Sequence, residues 1–514
     1  MAAAAPQDLD DGPIRGPKLA ITIVVMLAAV MAMIDISIVN VALSDIRASF
    51  ATPLDEIGWV STGYMMANIV IIPMTGWFQR RFGVRRYFPA SVLVFTVASA
   101  LCGTAWNLPS LVVFRILQGL GGGAIIPTAQ SILFARYPRA QHGMAAGLFG
   151  LGAITGPLLG PTIGGYLIDL ASWHWIFLVN VPVGIAVAAL AWNFIREPGF
   201  KSDRRPIDGI GIALLATGMP ALQYVLEEGN RDGWFDSMTI CVLAAIAAIC
   251  LTTFIVHELE ATNPVVDLRV FKNRSYTAGT GINFLTGLAL FSSSYLFSLF
   301  CGAVMGYTAL DIGRVFLVAG LVQIILMPLV GRLAPKIDPR VMLFIGVSVV
   351  GASQWIGAQL TSEAGFGDLV LPQLVRSVGL AFIFIPVSVA ALSDLSPAER
   401  GNGTGLFNLT RELGGSLGTA WMGKVVADGA VLHGSTIASH VTVFDPAVHD
   451  RLAMLASRGV PGEAVLALQV QKQALVMSFE DGFRIAMVAI LVGLALVMLL
   501  RKPRGGAEAA AGAH

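Results

Sequence analysis

Charged residues are scarce in this chain, and those set inside long apolar runs are the ones that could do chemistry. Asp35 is the single charge of the run 19–43, sixteen residues past its start and without a basic neighbour. A charge at such a place costs about 2.5–3.5 kcal/mol or more and is a functional candidate by default. Its carboxyl could bind and release a proton as its surroundings change, or hydrogen-bond a neighbouring segment. Asn40 adds an amide five residues on. Arg115 opens a second run with Gln118 one helical turn later on a similar face. Its guanidinium could line a cavity and act on a nearby carboxyl, or tie down backbone carbonyls. Arg411 and Glu412 interrupt a third run; adjacent on a helix, they point about 100° apart and need not pair. One of them could hold a charged solute or a proton, or neutralise charges on other segments. Asp311 and Arg314 stand at the head of their run and suit a water interface, and Arg376 is a weaker candidate than Arg115. Trp59, Phe284, Phe291 and Phe384 could line an apolar cavity, although packing is the commoner fate of such side chains.

The runs that must position these residues dominate the 514-residue chain. It is 55% hydrophobic and 13% charged, half the roughly 25% charged residues of soluble domains, with a mean hydropathy of +0.75. A bilayer core of roughly 30 Å takes about 20 helical residues. That ruler finds fourteen spans, at 19–43, 58–78, 87–106, 108–134, 143–170, 175–195, 207–226, 237–257, 276–302, 310–331, 341–361, 368–394, 403–427 and 482–501. The expected fold class is an all-α integral membrane protein. The first run is too long for a signal-peptide core and is expected to remain as an anchor.

Thirty-three basic against 32 acidic residues give a net charge of +1, so charge implies no nucleic-acid partner. Cys102, Cys241, Cys250 and Cys301 all lie in apolar runs and read as small hydrophobes, not as disulfides or a metal cluster. The chain has no P-loop, HExxH, G-x-S-x-G or rhomboid-like dyad, which argues against an enzyme and an ATP-driven pump. No cofactor or metal is called for, and membrane lipid is the expected surrounding. With the N-terminus inside, 22 of the 33 Lys and Arg fall on the cytoplasmic side and 7 outside, which puts both termini in the cytoplasm.

The chain is also duplicated. "GLFGLGAITGPLLG" (147–160) and "GLFNLTRELGGSLG" (405–418) match at seven of fourteen positions at an offset of 258. "LPSLVVFRILQG" (108–119) resembles "LPQLVRSVGL" (371–380), which makes Arg376 a twin of Arg115, and "GWFQRRFGVRR" (76–86) more weakly resembles "GRLAPKIDPR" (331–340). The expected organisation is an N-tail (1–18), a six-helix bundle (19–200), two linker helices (201–262), a second six-helix bundle (263–501) with a long outer loop at 424–480, and a C-tail (502–514). Two such bundles related by an axis along the membrane normal place a binding site between them at the midplane. In the first half Gly152, Gly156, Gly160 and Gly164 recur every four residues, with Gly165, Pro157 and Pro161 beside them. They form a bare stripe that lets another helix approach closely: either a packing seam or a seam where the two halves close and reopen.

These motifs resemble the fourteen-span drug:proton antiporters of the major facilitator superfamily over nearly the whole chain, from about Leu19 to Lys502. "GxxxGPxxGPxxGG" (Gly152 to Gly165) is similar to their antiporter motif, "RILQGLGGG" (Arg115 to Gly123) to the fourth-span motif, "MIDISIVNVAL" (Met33 to Leu43) to the first-span signature, and the 76–86 segment to the 2–3 loop motif. The outer segment 424–480, in which "GEAVLALQVQKQALVMSF" (462–479) has helical character, is similar to that of EmrB-type efflux pumps. The resemblance implies proton-coupled export of amphipathic toxic compounds across the bacterial inner membrane by alternating access, with Asp35 and Arg115 coupling protons. It also implies an EmrA-type periplasmic adaptor and an outer-membrane channel as partners, although 424–480 could equally be a soluble cap over the outer mouth. Gly76, Arg80, Arg81 and Gly83 fall on the cytoplasmic gate loop. Where the loop motif has an aspartate this chain has Arg80, so a gate salt bridge of that kind is in doubt and these arginines fit topology charges better. Export of one dedicated metabolite, such as a siderophore or antibiotic, and a non-transporting receptor or scaffold are the competing readings.

Overall fold

The structure, a computed structural model, describes residues 16–442, 445–457 and 461–499. Fourteen long helices carry the fold: α1 (Lys18–Phe50), α2 (Trp59–Phe82), α3 (Val84–Cys102), α4 (Leu108–Arg136), α5 (His142–Leu170), α6 (Asn180–Phe194), α7 (Gly209–Glu228), α8 (Met238–Glu260), α9 (Arg274–Ala303), α10 (Ala309–Leu333), α11 (Pro339–Gly357), α12 (Phe366–Leu392), α13 (Arg400–His440) and α14 (Gly462–Leu499). Each expected span coincides with one of them. Among the described residues, ten helices are long and apolar enough to cross a membrane by length and composition.

Short polar side chains set the helix starts. Asn107 Oδ1 accepts from the Ser110 amide at 2.9 Å, and Ser110 Oγ closes the reciprocal bond. Thr308 and Asp311 form a second such box at the head of α10, and Asn273 caps α9. These contacts satisfy amides that the first helical turn leaves without partners. Asp311 is thus a capping residue, paired with exposed Arg314 at 3.2 Å. The expected 2–3 loop shrinks to Gly83, whose φ of +77° turns the chain directly from α2 into α3.

Helices α1–α6 pack as one bundle and α9–α14 as another, while α7 and α8 pair and α7 lies against α2 and α13. The bundles meet where α5 packs on α10 and α12, and where α13 packs on α2 and α4. Much of the outer surface is apolar, with Val97, Ile249 and Ile325 more than half exposed; lipid, not water, suits such a surface.

The segment 424–480 is helical over more than the expected stretch 462–479. Helix α13 runs on to His440, a short helix spans Pro446–Ser457, and α14 begins at Gly462. At 41 residues and 1.5 Å each, α13 is about 60 Å long, well beyond a bilayer core. Its extension packs along that of α14, where His433 Nε2 meets Asp481 Oδ2 at 2.8 Å and a Cβ on Gly434 would lie 3.7 Å from Ala474. An unbroken helix keeps its backbone hydrogen bonds after leaving the membrane, which a loop would have to replace.

Candidate functional site

Three of the four polar residues singled out in the first bundle, Asp35, Arg115 and Gln118, converge. Arg115 Nη1 donates to Asp35 Oδ2 at 2.7 Å and to Gln118 Oε1 at 2.7 Å, and Gln118 Nε2 donates to Asp35 Oδ1 at 2.8 Å. Asp35, Arg115 and Gln118 are 0%, 1% and 0% exposed. Helix α1 brings the acid and α4 the other two, on one face because they lie three residues apart. Arg115 Nε donates to the Val60 carbonyl of α2 at 3.1 Å, and its guanidinium lies 4.3 Å from the Tyr64 ring centre. Such a planar cation can serve a carboxylate, a carboxamide, a carbonyl and an aromatic face together.

Two residues absent from the sequence expectations complete the network. Asn180 Nδ2 donates to Asp35 Oδ1 at 2.9 Å and to Ser99 Oγ at 3.1 Å. Ser99 Oγ in turn donates to the Phe177 carbonyl at 2.9 Å. The signal was present: Asn180 is an amide set among apolar residues in "WIFLVNVPVG", and a polar group there needs a partner. Asp35 therefore accepts three hydrogen bonds from three side chains on two other helices.

The network lies inside the first bundle. Arg115 was expected at the central cavity or its edge; instead helices α1, α2, α3, α4 and α6 enclose it. The reason is electrostatic, since a guanidinium in an apolar interior must find a carboxylate and Asp35 stands on the adjoining helix. Asn40 is exposed and accepts from Ser61 Oγ of α2 at 3.3 Å. Arg411 is buried in α13, donates to Asn408 Oδ1 at 3.1 Å and lies 5.3 Å from the Phe384 ring centre. Glu412 is half-buried and within electrostatic range of Tyr64 of α2.

Of the two readings of the glycine stripe, the structure takes the packing seam. A Cβ on Gly156 would come within 2.5 Å of the Met33 backbone, one on Gly164 within 2.8 Å of Ile38, and one on Gly160 would strike Ser37. Gly152 likewise faces Met26 at 3.0 Å. All four face α1 of the same bundle, so the stripe is a packing seam and does not lie between the halves. Gly165 is off it, with nothing within 4 Å. The side chains of Pro157 and Pro161 lie outside the described residues. The close approaches between bundles use other glycines: a Cβ on Gly143 would lie 2.7 Å from the Gly331 carbonyl of α10, and one on Gly405 would lie 2.6 Å from the Ile72 carbonyl of α2. Gly76 sits directly under the backbone of Asn402. Asn408 Nδ2 donates across to Gln130 Oε1 at 2.7 Å, and His142 Nδ1 meets Ser393 Oγ at 2.8 Å.

Arg80 and Arg81 clasp connecting segments. Arg81 Nη1 donates to the Asp203 carbonyl at 2.6 Å, Ser202 Oγ donates to the Arg81 carbonyl at 2.6 Å, and Arg80 Nη2 donates to the Pro264 carbonyl at 3.4 Å. The neighbouring Arg205 guanidinium holds the Asp203 carboxyl below its ordinary range.

The sequence model of the Major Facilitator Superfamily matches residues 25–419. The chain belongs to that superfamily. It is 33% identical over 507 residues to "Multidrug export protein EmrB" of Escherichia coli strain K12, covering 98% of this chain and 99% of the relative. It is 32% identical to the protein of the same name from Haemophilus influenzae, over 96% of this chain and 98% of the relative. The "Fatty acid resistance protein FarB" of Neisseria gonorrhoeae is also 32% identical, over 96% and 98%. Among solved structures, the human organic anion transporter MFSD10 has the same fold with a TM-score of 0.63 at 13% identity, covering 94% of this chain and 100% of that one. The superfamily member described here is thus an integral membrane transporter of EmrB type, not an enzyme.

Proposed function

We propose that this transporter is a multidrug exporter that uses inward proton flow to drive amphipathic toxic compounds out across the bacterial inner membrane. The observation that carries the reading is the buried Asp35–Arg115 pair. Protonation of Asp35 removes one charge of the pair and weakens three hydrogen bonds that tie α1 to α4 and α6. That alters the packing of α1, against which the glycine stripe of α5 is seated, and α5 in turn packs on α10 of the other bundle. A proton at Asp35 would thereby shift the balance between two arrangements of the halves.

The lysine and arginine asymmetry supports cytoplasmic termini, with residues 19–200 and 263–501 as the moving bodies and 201–262 as a pair beside the seam. The extensions of α13 and α14 would then rise on the outer side, as the surface for a periplasmic adaptor that passes cargo to an outer-membrane channel. Export of structurally varied dyes from efflux-deficient cells tests the reading. The expected result is energy-dependent efflux that stops when a protonophore collapses the gradient. Efflux that persists without the gradient, or confined to one metabolite, overturns it.

A further inference from the structure

Arg376, the twin of Arg115 in the second half, lines one small cavity of the second bundle with Gln373, Ser293, Gln354, Ser353 and Phe483.

The second cluster is incomplete where the first is satisfied. Arg376 is 7% exposed, its Nη1 donates to Ser294 Oγ at 2.9 Å, and its guanidinium lies 5.6 Å from the Phe316 ring centre. None of the residues around the cavity is acidic. The buried atoms Arg376 Nε, Gln373 Oε1 and Gln354 Oε1 have no hydrogen-bond partner among the described residues. Gln373 and Gln354 are 3% and 2% exposed. Gln354 Nε2 donates to Ser293 Oγ, which itself donates to the Ala289 carbonyl, so the unmet group is Arg376: a buried cation without a counter-charge, beside amide oxygens without donors, is strongly unfavourable. A carboxamide rotated about its last bond presents its NH2 where its oxygen stood, so Gln373 can join Arg376 as a donor. The set then matches one small guest of single negative charge.

We propose that the second bundle binds a small monovalent anionic group between Arg376 and Gln373, in the cavity that Ser293 and Gln354 close on the other side. Two sources carry that chemistry: chloride from solution, and the carboxylate of an amphipathic acid. The site does not depend on the efflux reading, because binding is read on purified protein and efflux in cells. Either can fail alone.

The test is the thermal midpoint of the full chain in lipid nanodiscs, in sodium sulfate medium titrated separately with chloride and with decanoate. The wild type is expected to show a saturable rise in Tm. A rise with chloride assigns the solution ion, and one with decanoate alone assigns an acid cargo; both support the site. Arg376→Gln should weaken the apparent affinity by at least about tenfold. Ser293→Asp supplies an internal carboxylate, so it should raise the ligand-free Tm and abolish the titration, and it decides the matter if Arg376→Gln fails to fold. No rise with either anion in the wild type, or equal rises in all three proteins, overturns the proposal.

Discussion

At the scale of single residues, Asp35 is held by more than its charge. Arg115, Gln118 and Asn180 each place a hydrogen on its oxygens at 2.7–2.9 Å, and hydrogen bonds to a charged group are worth more than neutral ones. Removing one partner of a buried pair leaves the other charge uncompensated, at about 3–5 kcal/mol. Asp35→Asn keeps the shape and removes the carboxylate charge. It is expected to abolish transport driven by an imposed pH gradient in vesicles, with the protein still inserted. Arg115→Ala should do the same, whereas Asn180→Ala, which leaves the ion pair standing, should retain part of the rate. Gradient-driven transport at the wild-type rate in Asp35→Asn would remove this acid from the mechanism.

At the scale of helices, the seam between α1 and α5 depends on missing side chains. In lipid no hydrophobic force draws helices together, so close backbone approach supplies the contact. Gly156→Val would drive methyl groups into the Met33 backbone, and overpacking of this kind costs about 1–3 kcal/mol. Gly165→Val, nine residues along the same helix with nothing within 4 Å, should stay within about 0.5 kcal/mol of the wild type. Tm in nanodiscs distinguishes the two: a clear drop for the first, little change for the second. Equal behaviour would mean that the helices are not packed as described.

At the scale of the whole molecule, alternating access requires the two bundles to part where they now touch. A Cβ on Gly143 of α5 would stand 2.9 Å from the Cβ of Ala334, just past α10. A disulfide bridges Cβ atoms about 3.5–4.5 Å apart, so α5 and the end of α10 must part slightly to form it, which also relieves the 2.7 Å approach of that Cβ to the Gly331 carbonyl. In a background lacking the four native cysteines, the double variant Gly143→Cys, Ala334→Cys is expected to crosslink under oxidation and to lose export. Reduction should restore it. Export that continues through the crosslink would show that this contact stays closed throughout the cycle.

Much of this was legible without coordinates. The fourteen apolar runs, the duplication and the isolated charges all follow from hydropathy and spacing, because lipid demands helices of a set length and makes each buried charge conspicuous. The partners of those charges were not legible. That Arg115 meets Asp35, 80 residues away, that Asn180 joins them, and that Gly156 faces Met33 instead of the other bundle all depend on which helices stand side by side and how each is rotated. Hydropathy fixes neither, because both faces of such a helix are apolar. The 424–480 segment shows the same division: helical character was legible at 462–479, while the packing of one extension along the other decided that α13 too continues, to His440, beyond its apolar span.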